Sequence, residues 1–219
     1  AIPVYADIDP HTFNIDPVDI ERKITDKTKA IIVVALYGLP ADMKAIMEIS
    51  NKYQIPVIED NAQCFLSKYD DKLAGTWGHI ASWSFENSKH MSCGEGGIIT
   101  TNNEEYAKFA RKLAGHGYKN LEASTGQIKL NQSIYQNPNY KRHDEIGWNY
   151  RLSEFNAAVA MAQLEDLDIK VSRRKTVAQY FLDVMEDCEY LIPQATPSNA
   201  DNSYFTLGVV YDGQEQIGV

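Results

Sequence analysis

Seven consecutive apolar residues at positions 30–36, AIIVVAL, constrain this chain more than any other feature of its sequence. The run is dominated by β-branched side chains. Continuous rather than alternating apolar character is the signature of a strand covered on both faces, as in the interior of a parallel sheet.

The flanking segments suit the same architecture. Residues 3–8 read as a strand. Asp16 caps a short helix with Pro17 at its first position and apolar Val18, Ile20 and Ile24. Within 41–53, Met43, Ile46, Met47 and Tyr53 fall near helical spacing. Residues 56–58 form a short buried strand running into Glu59 and Asp60, and 80–85 and 97–101 are further extended candidates. Tyr106, Phe109, Ala110 and Leu113 make an i, i+3, i+4, i+7 stripe between Glu104 and Ala114. Strands separated by helices of this length imply βαβ units and a mainly parallel sheet, the α/β class. Ligands in such sheets bind beyond the carboxyl ends of the strands, where Glu59–Asp60 and Ser84–Phe85 lie.

Residues 117–148 differ, being rich in Asn, Tyr, Gln and Lys with no sustained period, as expected of a functional or disordered loop. Ser153 caps a helix expected through Ile169, and a second helix is expected near 172–186. Residues 193–202 read as a linker and 204–211 as the first strand of something new.

Composition removes several functions. Net charge is −9 with acids and bases interleaved, so no basic stripe is available for a nucleic-acid backbone. Cys64, Cys93 and Cys188 are odd in number and far apart, forming neither a disulfide framework nor a metal cluster, which suits a reducing cytoplasm. No apolar run approaches the roughly eighteen residues of a membrane span, and no signal peptide is visible. The first residues already read as a strand, so the chain is expected to begin inside a domain.

Two constellations carry chemistry. The first is Glu59-Asp60-Asn61-Ala62-Gln63, directly after a buried strand; a carboxylate there can hold a positive charge on a ligand, or can simply cap a turn or helix. The second runs Ser84-Phe85-Glu86-Asn87-Ser88-Lys89-His90 and on to Gly94-Glu95-Gly96-Gly97. A lysine held in a pocket becomes a nucleophile, and glycines let backbone approach a ligand; a solvated lysine and an ordinary hairpin are the plainer readings.

Taken in order, EDNAQ, SFENSK, GEGG and the downstream GWNYRLSEFNAA resemble the DegT–StrS family of nucleotide-sugar aminotransferases, and PVYADIDPHTFNIDPVDIERKI with TKAIIVVALYGLPADM agrees. The resemblance covers about residues 3–211. It implies the three-layer α/β/α fold of the aspartate aminotransferases (fold type I), with a cofactor-binding large domain over 1–170 and a connecting helix plus the start of a small C-terminal domain over 171–219. It also implies pyridoxal 5'-phosphate as cofactor, transfer of an amino group from a donor such as glutamate to a nucleotide-linked keto sugar in deoxyamino sugar biosynthesis, and a homodimer with shared active sites. Carried over by motif, Lys89 matches the lysine that bonds to the cofactor aldehyde. Asp60 matches the carboxylate at the pyridine nitrogen, Gln63 a residue near the ring hydroxyl, and Ser84 a phosphate ligand. Asn149 matches an asparagine reaching the phosphate across the subunit boundary, a role Arg151 could share.

The family's phosphate-binding turn and stacking aromatic find no counterpart in these residues, nor does most of the small domain, so the large domain is expected to be incomplete at both ends. Two other functions compete. Family 3-dehydratases have histidine where this chain has Lys89, which argues against sugar dehydration. A non-catalytic cofactor-binding regulator or truncated relic is the other. Secondary candidates are His90 and His116 toward substrate and Lys141-Arg142-His143 toward a diphosphate, each with a plain structural alternative. Cys93 has no neighbouring base and reads as filler.

Overall fold

The computed structural model describes residues 1–213; positions 214–219, the end of the expected second domain, lie outside the described residues. Two compact units form, one from Ala1–Ile99 with the described residues from Phe155 onward, the other Thr100–Glu154.

From the N-terminus come α1 (Pro17–Lys23), β1 (Ile31–Val34), a 3-10 turn (Leu36–Gly38), α2 (Met43–Tyr53) and β2 (Val57–Asp60). A small antiparallel pair, β3 (Lys68–Tyr69) and β4 (Lys72–Leu73), precedes β5 (Ile80–Ser84) and β6 (Gly97–Thr100). The central sheet has the order β1-β2-β5-β6, and β1–β2 and β2–β5 are parallel. Asp16 caps α1 by accepting from the N–H of Val18 at 2.9 Å, with Pro17 at the first position and Arg22 and Lys23 in the last turn. Asp42 caps α2 through Ala45 N–H at 3.1 Å. Ile20 of α1 and Met43, Ile46 and Ile49 of α2 pack on Ile31, Val33 and Val57 to make the main core.

Only one face of β1 is closed by these helices. Ile31 and Val33 are buried, whereas Ile32 is 61% and Val34 41% exposed. The expected two-sided burial of 30–36 is therefore not met within the described residues, and the strand shows the alternation of a one-sided sheet. Residues 3–8 do not form a strand either. Ile2, Val4 and Tyr5 stand in solvent and the segment has only the bridge Ile8–Ile15, since β-propensity without a ladder partner makes no strand.

The second unit holds α3 (Glu104–Ala114), capped by Asn103 onto Tyr106 N–H at 3.0 Å. It then forms a short hairpin, β7 (Leu121–Glu122) with β8 (Gly126–Gln127), and one helical turn, α4 (Gln132–Tyr135). Beyond it run α5 (Glu154–Glu165) and α6 (Leu167–Met185), which break at Asp166, so position 170/171 falls inside α6. β9 (Leu191–Pro193) pairs antiparallel with β10 (Val209–Tyr211), the latter shorter than the strand expected over 204–211. The expected linker between them is anchored, with Gln194 and Asn202 buried. No helix among the described residues is long and apolar enough to cross a membrane.

The pleat of β2 sends Glu59 and Asp60 to opposite faces. Glu59 is buried and its carboxylate accepts from the backbone N–H groups of Gly75 (2.7 Å), Trp77 (2.8 Å) and Gly78 (2.5 Å), holding the turn that feeds β5. Burial pushes its pKa up against the pull of those three donors and of Lys72. Glu59→Ala would orphan three backbone donors at once. It should cost roughly 3 kcal/mol in urea unfolding, with Glu59→Gln intermediate because an amide cannot accept at both positions. A loss under about 0.5 kcal/mol, the usual range of an inconsequential surface change, would contradict this role.

Candidate active site

In the parallel register Asp60 pairs with Ser82, so Asp60, Ser82 and Ser84 share one sheet face, opposite Glu59. Asp60 ends β2 half-buried. Its Oδ1 accepts from Ala62 N–H at 3.0 Å, a local turn rather than a helix cap, and it forms no salt bridge among the described residues. Ser84 ends β5. Its Oγ accepts from Glu86 N–H at 3.2 Å, which leaves the hydroxyl proton available to an acceptor.

The lysine loop is pinched at its base by Phe85 N–H to Gly96 O (2.8 Å) and Cys93 N–H to Phe85 O (3.0 Å). Asn156 Nδ2 braces the same neck, donating to the carbonyls of Cys93 and Glu95 at 3.0 Å each. A Cβ on Gly97 would stand 2.7 Å from the Trp83 carbonyl, so this glycine lets β6 close on β5. Gly97 serves strand packing here, whereas Gly94, at φ 87°, has open space where a Cβ would stand and serves the turn by its backbone conformation. Glu86 accepts from Ser88 N–H (3.0 Å) and Oγ (2.6 Å), and these bonds pull its carboxyl below the usual range. Lys89 N–H donates to Glu86 O at 3.1 Å, and its half-buried side chain carries Nζ to 4.7 Å from the ring centroid of Phe205. Next to it, His90 turns into the core, with Nε2 3.1 Å from Ser203 O and its ring between Phe65 (5.4 Å) and Phe205 (6.0 Å).

Gln63 reaches a different element. Its Oε1 accepts from Tyr37 N–H at 2.9 Å, while its Nε2 donates no bond among the described residues. Tyr37 sits at φ 61° and Gly38 at φ 107°. Phe205 N–H donates to Tyr37 O at 2.8 Å, so residues 202–205 lock onto this turn. The grip of residues 202–205 on this turn is not legible in the sequence, where they read only as the end of a linker and the start of a strand, because nothing periodic marks a contact spanning this much chain.

Asn149 and Arg151 belong to the second unit and are exposed. Trp148 N–H to Leu113 O (2.6 Å) and Tyr150 N–H to Ala114 O (2.9 Å) fix the backbone, and Asn149 Oδ1 accepts from Arg151 Nε at 3.0 Å. In the same unit His143 stacks on Tyr118 at 4.6 Å and meets the His116 carbonyl through Nδ1 at 2.8 Å. Arg142 Nη2 donates to Tyr135 O at 3.3 Å. In the first unit, Lys89 offers an amine, Asp60 a carboxylate with no salt-bridged cation among the described residues, Ser84 a hydroxyl proton and Gln63 an amide Nε2–H.

The DegT/DnrJ/EryC1/StrS aminotransferase family matches residues 1–217. Similar proteins include UDP-2-acetamido-2-deoxy-3-oxo-D-glucuronate aminotransferase of Pseudomonas aeruginosa, 40% identical over 85% of this chain and 47% of the relative. GDP-perosamine synthase of Escherichia coli O157:H7 is 37% identical over 83% of this chain and 45% of the relative. Among solved structures, E. coli GDP-4-keto-6-deoxy-D-mannose-3-dehydratase with bound hydrated PLP superposes with a TM-score of 0.80 at 29% identity, covering 94% of this chain and 53% of that one. The chain spans about half the length of the curated relatives it matches.

Burial pulls the His90 pKa from 6.5 down to about 4. A depressed folded-state pKa means stability that is full above pH 6.5 and lost as pH falls toward 4, of order 3 kcal/mol. Unfolding followed from pH 7 to pH 4 should show this acid limb in the wild type and a correspondingly shallower one in His90→Phe. Equal slopes in both proteins would contradict the neutral, buried imidazole.

Proposed function

The chain belongs to the DegT/DnrJ/EryC1/StrS aminotransferase family, and from that premise we propose that it carries the catalytic lysine of a pyridoxal-phosphate enzyme moving an amino group from glutamate to a nucleotide-linked keto sugar. The observation that carries this reading is Lys89 one turn beyond β5, with Asp60 ending the neighbouring strand β2 and forming no salt bridge among the described residues.

The donor set fits the cofactor group by group. Lys89 would meet its aldehyde, Asp60 its ring nitrogen, Gln63 Nε2 its ring oxygen and the Ser84 hydroxyl its phosphate. Bound there, the cofactor supplies an electron sink for the donor's α-carbon. The Asp60 carboxylate favours the protonated ring nitrogen by charge. With its Nζ free, Lys89 would act as the base toward the donor α-carbon and would hold, then hand on, the proton it takes there. The whole protein is a homodimer in the cytoplasm, where its thiols stay reduced, with a large cofactor domain and a smaller C-terminal one.

A 3-dehydratase among the similar structures favours a second reading, loss of a sugar hydroxyl. Lys89 opposes it, since an enzyme of that kind has no use for a lysine that rebinds the cofactor at each turnover.

Mass spectrometry of products from glutamate and a panel of nucleotide-linked keto sugars should find an amino sugar. A deoxy product without nitrogen would support dehydration instead, and no product from any substrate of the panel would contradict aminotransfer. Asp60→Asn keeps a hydrogen-bonding group and removes the charge, and should cost about 3 kcal/mol, a hundredfold or more, in kcat/KM. A loss within about threefold would make Asp60 a turn residue only.

Asn149 is proposed to serve the neighbouring subunit's site. Mixed Lys89→Ala and Asn149→Ala proteins, each inactive alone, should regain activity after subunit exchange, because one site of each heterodimer then carries neither defect. Confirmed exchange without recovery would rule this out.

A further inference from the structure

The Lys89 ammonium forms no salt bridge among the described residues; what it meets is the face of Phe205, with Nζ 4.7 Å from the ring centroid. That ring is not loosely placed. Phe205 N–H donates to Tyr37 O at 2.8 Å, and Phe205 O accepts from Arg174 Nη1 at 3.0 Å. Two residues earlier, Ser203 N–H donates to Gly38 O at 3.0 Å and Ser203 O faces His90 Nε2 at 3.1 Å. The segment thus grips the lysine loop and the Tyr37–Gly38 turn together, and that turn supplies the N–H that orients Gln63.

We propose that Phe205 is a positioning residue for Lys89, its ring face receiving the ε-ammonium that the unbonded lysine becomes once it has taken a proton. The inference rests on the assignment of Lys89 as the cofactor-bearing lysine. A displaced lysine regains all its rotamers, and a seat that limits them keeps the amine where it must act. The kind of seat matters. A carboxylate would take up the ammonium's hydrogen-bonding protons and hold it tightly, whereas an aromatic face attracts the charge through its quadrupole and leaves those protons free for transfer. His90 adds no second charge beside the ring, because burial keeps its pKa down at about 4.

The seat has a signature independent of catalysis. In the whole protein freed of cofactor and reductively methylated with 13C-formaldehyde, the Lys89 methyl resonance should lie upfield of the exposed lysines, through the ring current. Lys89→Arg identifies the resonance by its loss. Phe205→Leu should return it to the exposed position and Phe205→Tyr should keep it upfield. Should Phe205→Leu fold poorly, the wild-type and Phe205→Tyr spectra still decide. In cofactor-loaded protein, Phe205→Leu should slow the glutamate half-reaction roughly two- to fivefold with KM unchanged, and Phe205→Tyr should restore it. A wild-type Lys89 resonance at the exposed position, or an upfield one indifferent to Phe205→Leu, overturns the proposal. Amino-sugar formation with an unshifted Lys89 sinks the seat alone. A shifted Lys89 in protein that aminates no keto sugar leaves the seat standing and sinks the reading on which its purpose rests.

Discussion

The carbonyl of Gly38 is the point on which the geometry around the lysine depends. It accepts from Ser67 Oγ at 2.7 Å, from Ser203 N–H at 3.0 Å and from Cys64 Sγ at 3.4 Å. It therefore ties the turn after β1 to the segment after β2 and to residues 165 positions further on. Only glycine suits this place, because φ is +107° and a Cβ would stand 2.6 Å from Tyr204 N. Tyr37 beside it adopts φ 61°, a conformation costing on the order of 1 kcal/mol for a residue with a side chain. Its own N–H and carbonyl offset that cost by bonding Gln63 and Phe205.

A second constraint divides structure from chemistry on one strand. Adjacent residues of β2 point to opposite sheet faces, so two neighbouring carboxylates live in different surroundings. Glu59 spends its acceptor capacity on three backbone donors of the following turn. Asp60 makes one local bond and keeps its charge uncompensated by any salt bridge among the described residues. A register slip of one residue in β2 would exchange these roles, which is why the pairing of β2 with β5 matters to function as well as to fold.

What could be read from the sequence follows from how local each signal is. The β-branched run and the spaced apolar residues of α3 report on their own backbone, and both elements form close to where they were expected, α3 at its expected bounds. Residues 3–8 carry the same kind of local signal and form no strand, because a strand is completed by a neighbour. The break between two helices is expected at 170–171 and lies at Asp166, because no residue there interrupts the hydrophobic period strongly enough to fix its position. Lys89 and Asp60 could be singled out because ordered motifs surround them. Phe205 could not, nor could the role of Glu59 as the brace of the turn before β5. Their partners lie across turns or at distant chain positions, and only the folded geometry brings them together.

Which amine bonds to the cofactor decides where the active site lies. Protein loaded with pyridoxal phosphate, reduced with borohydride and digested, should yield a single phosphopyridoxyl peptide modified at Lys89. Modification at Lys68, Lys72 or any other lysine in place of Lys89 would contradict the assignment from which the site was built.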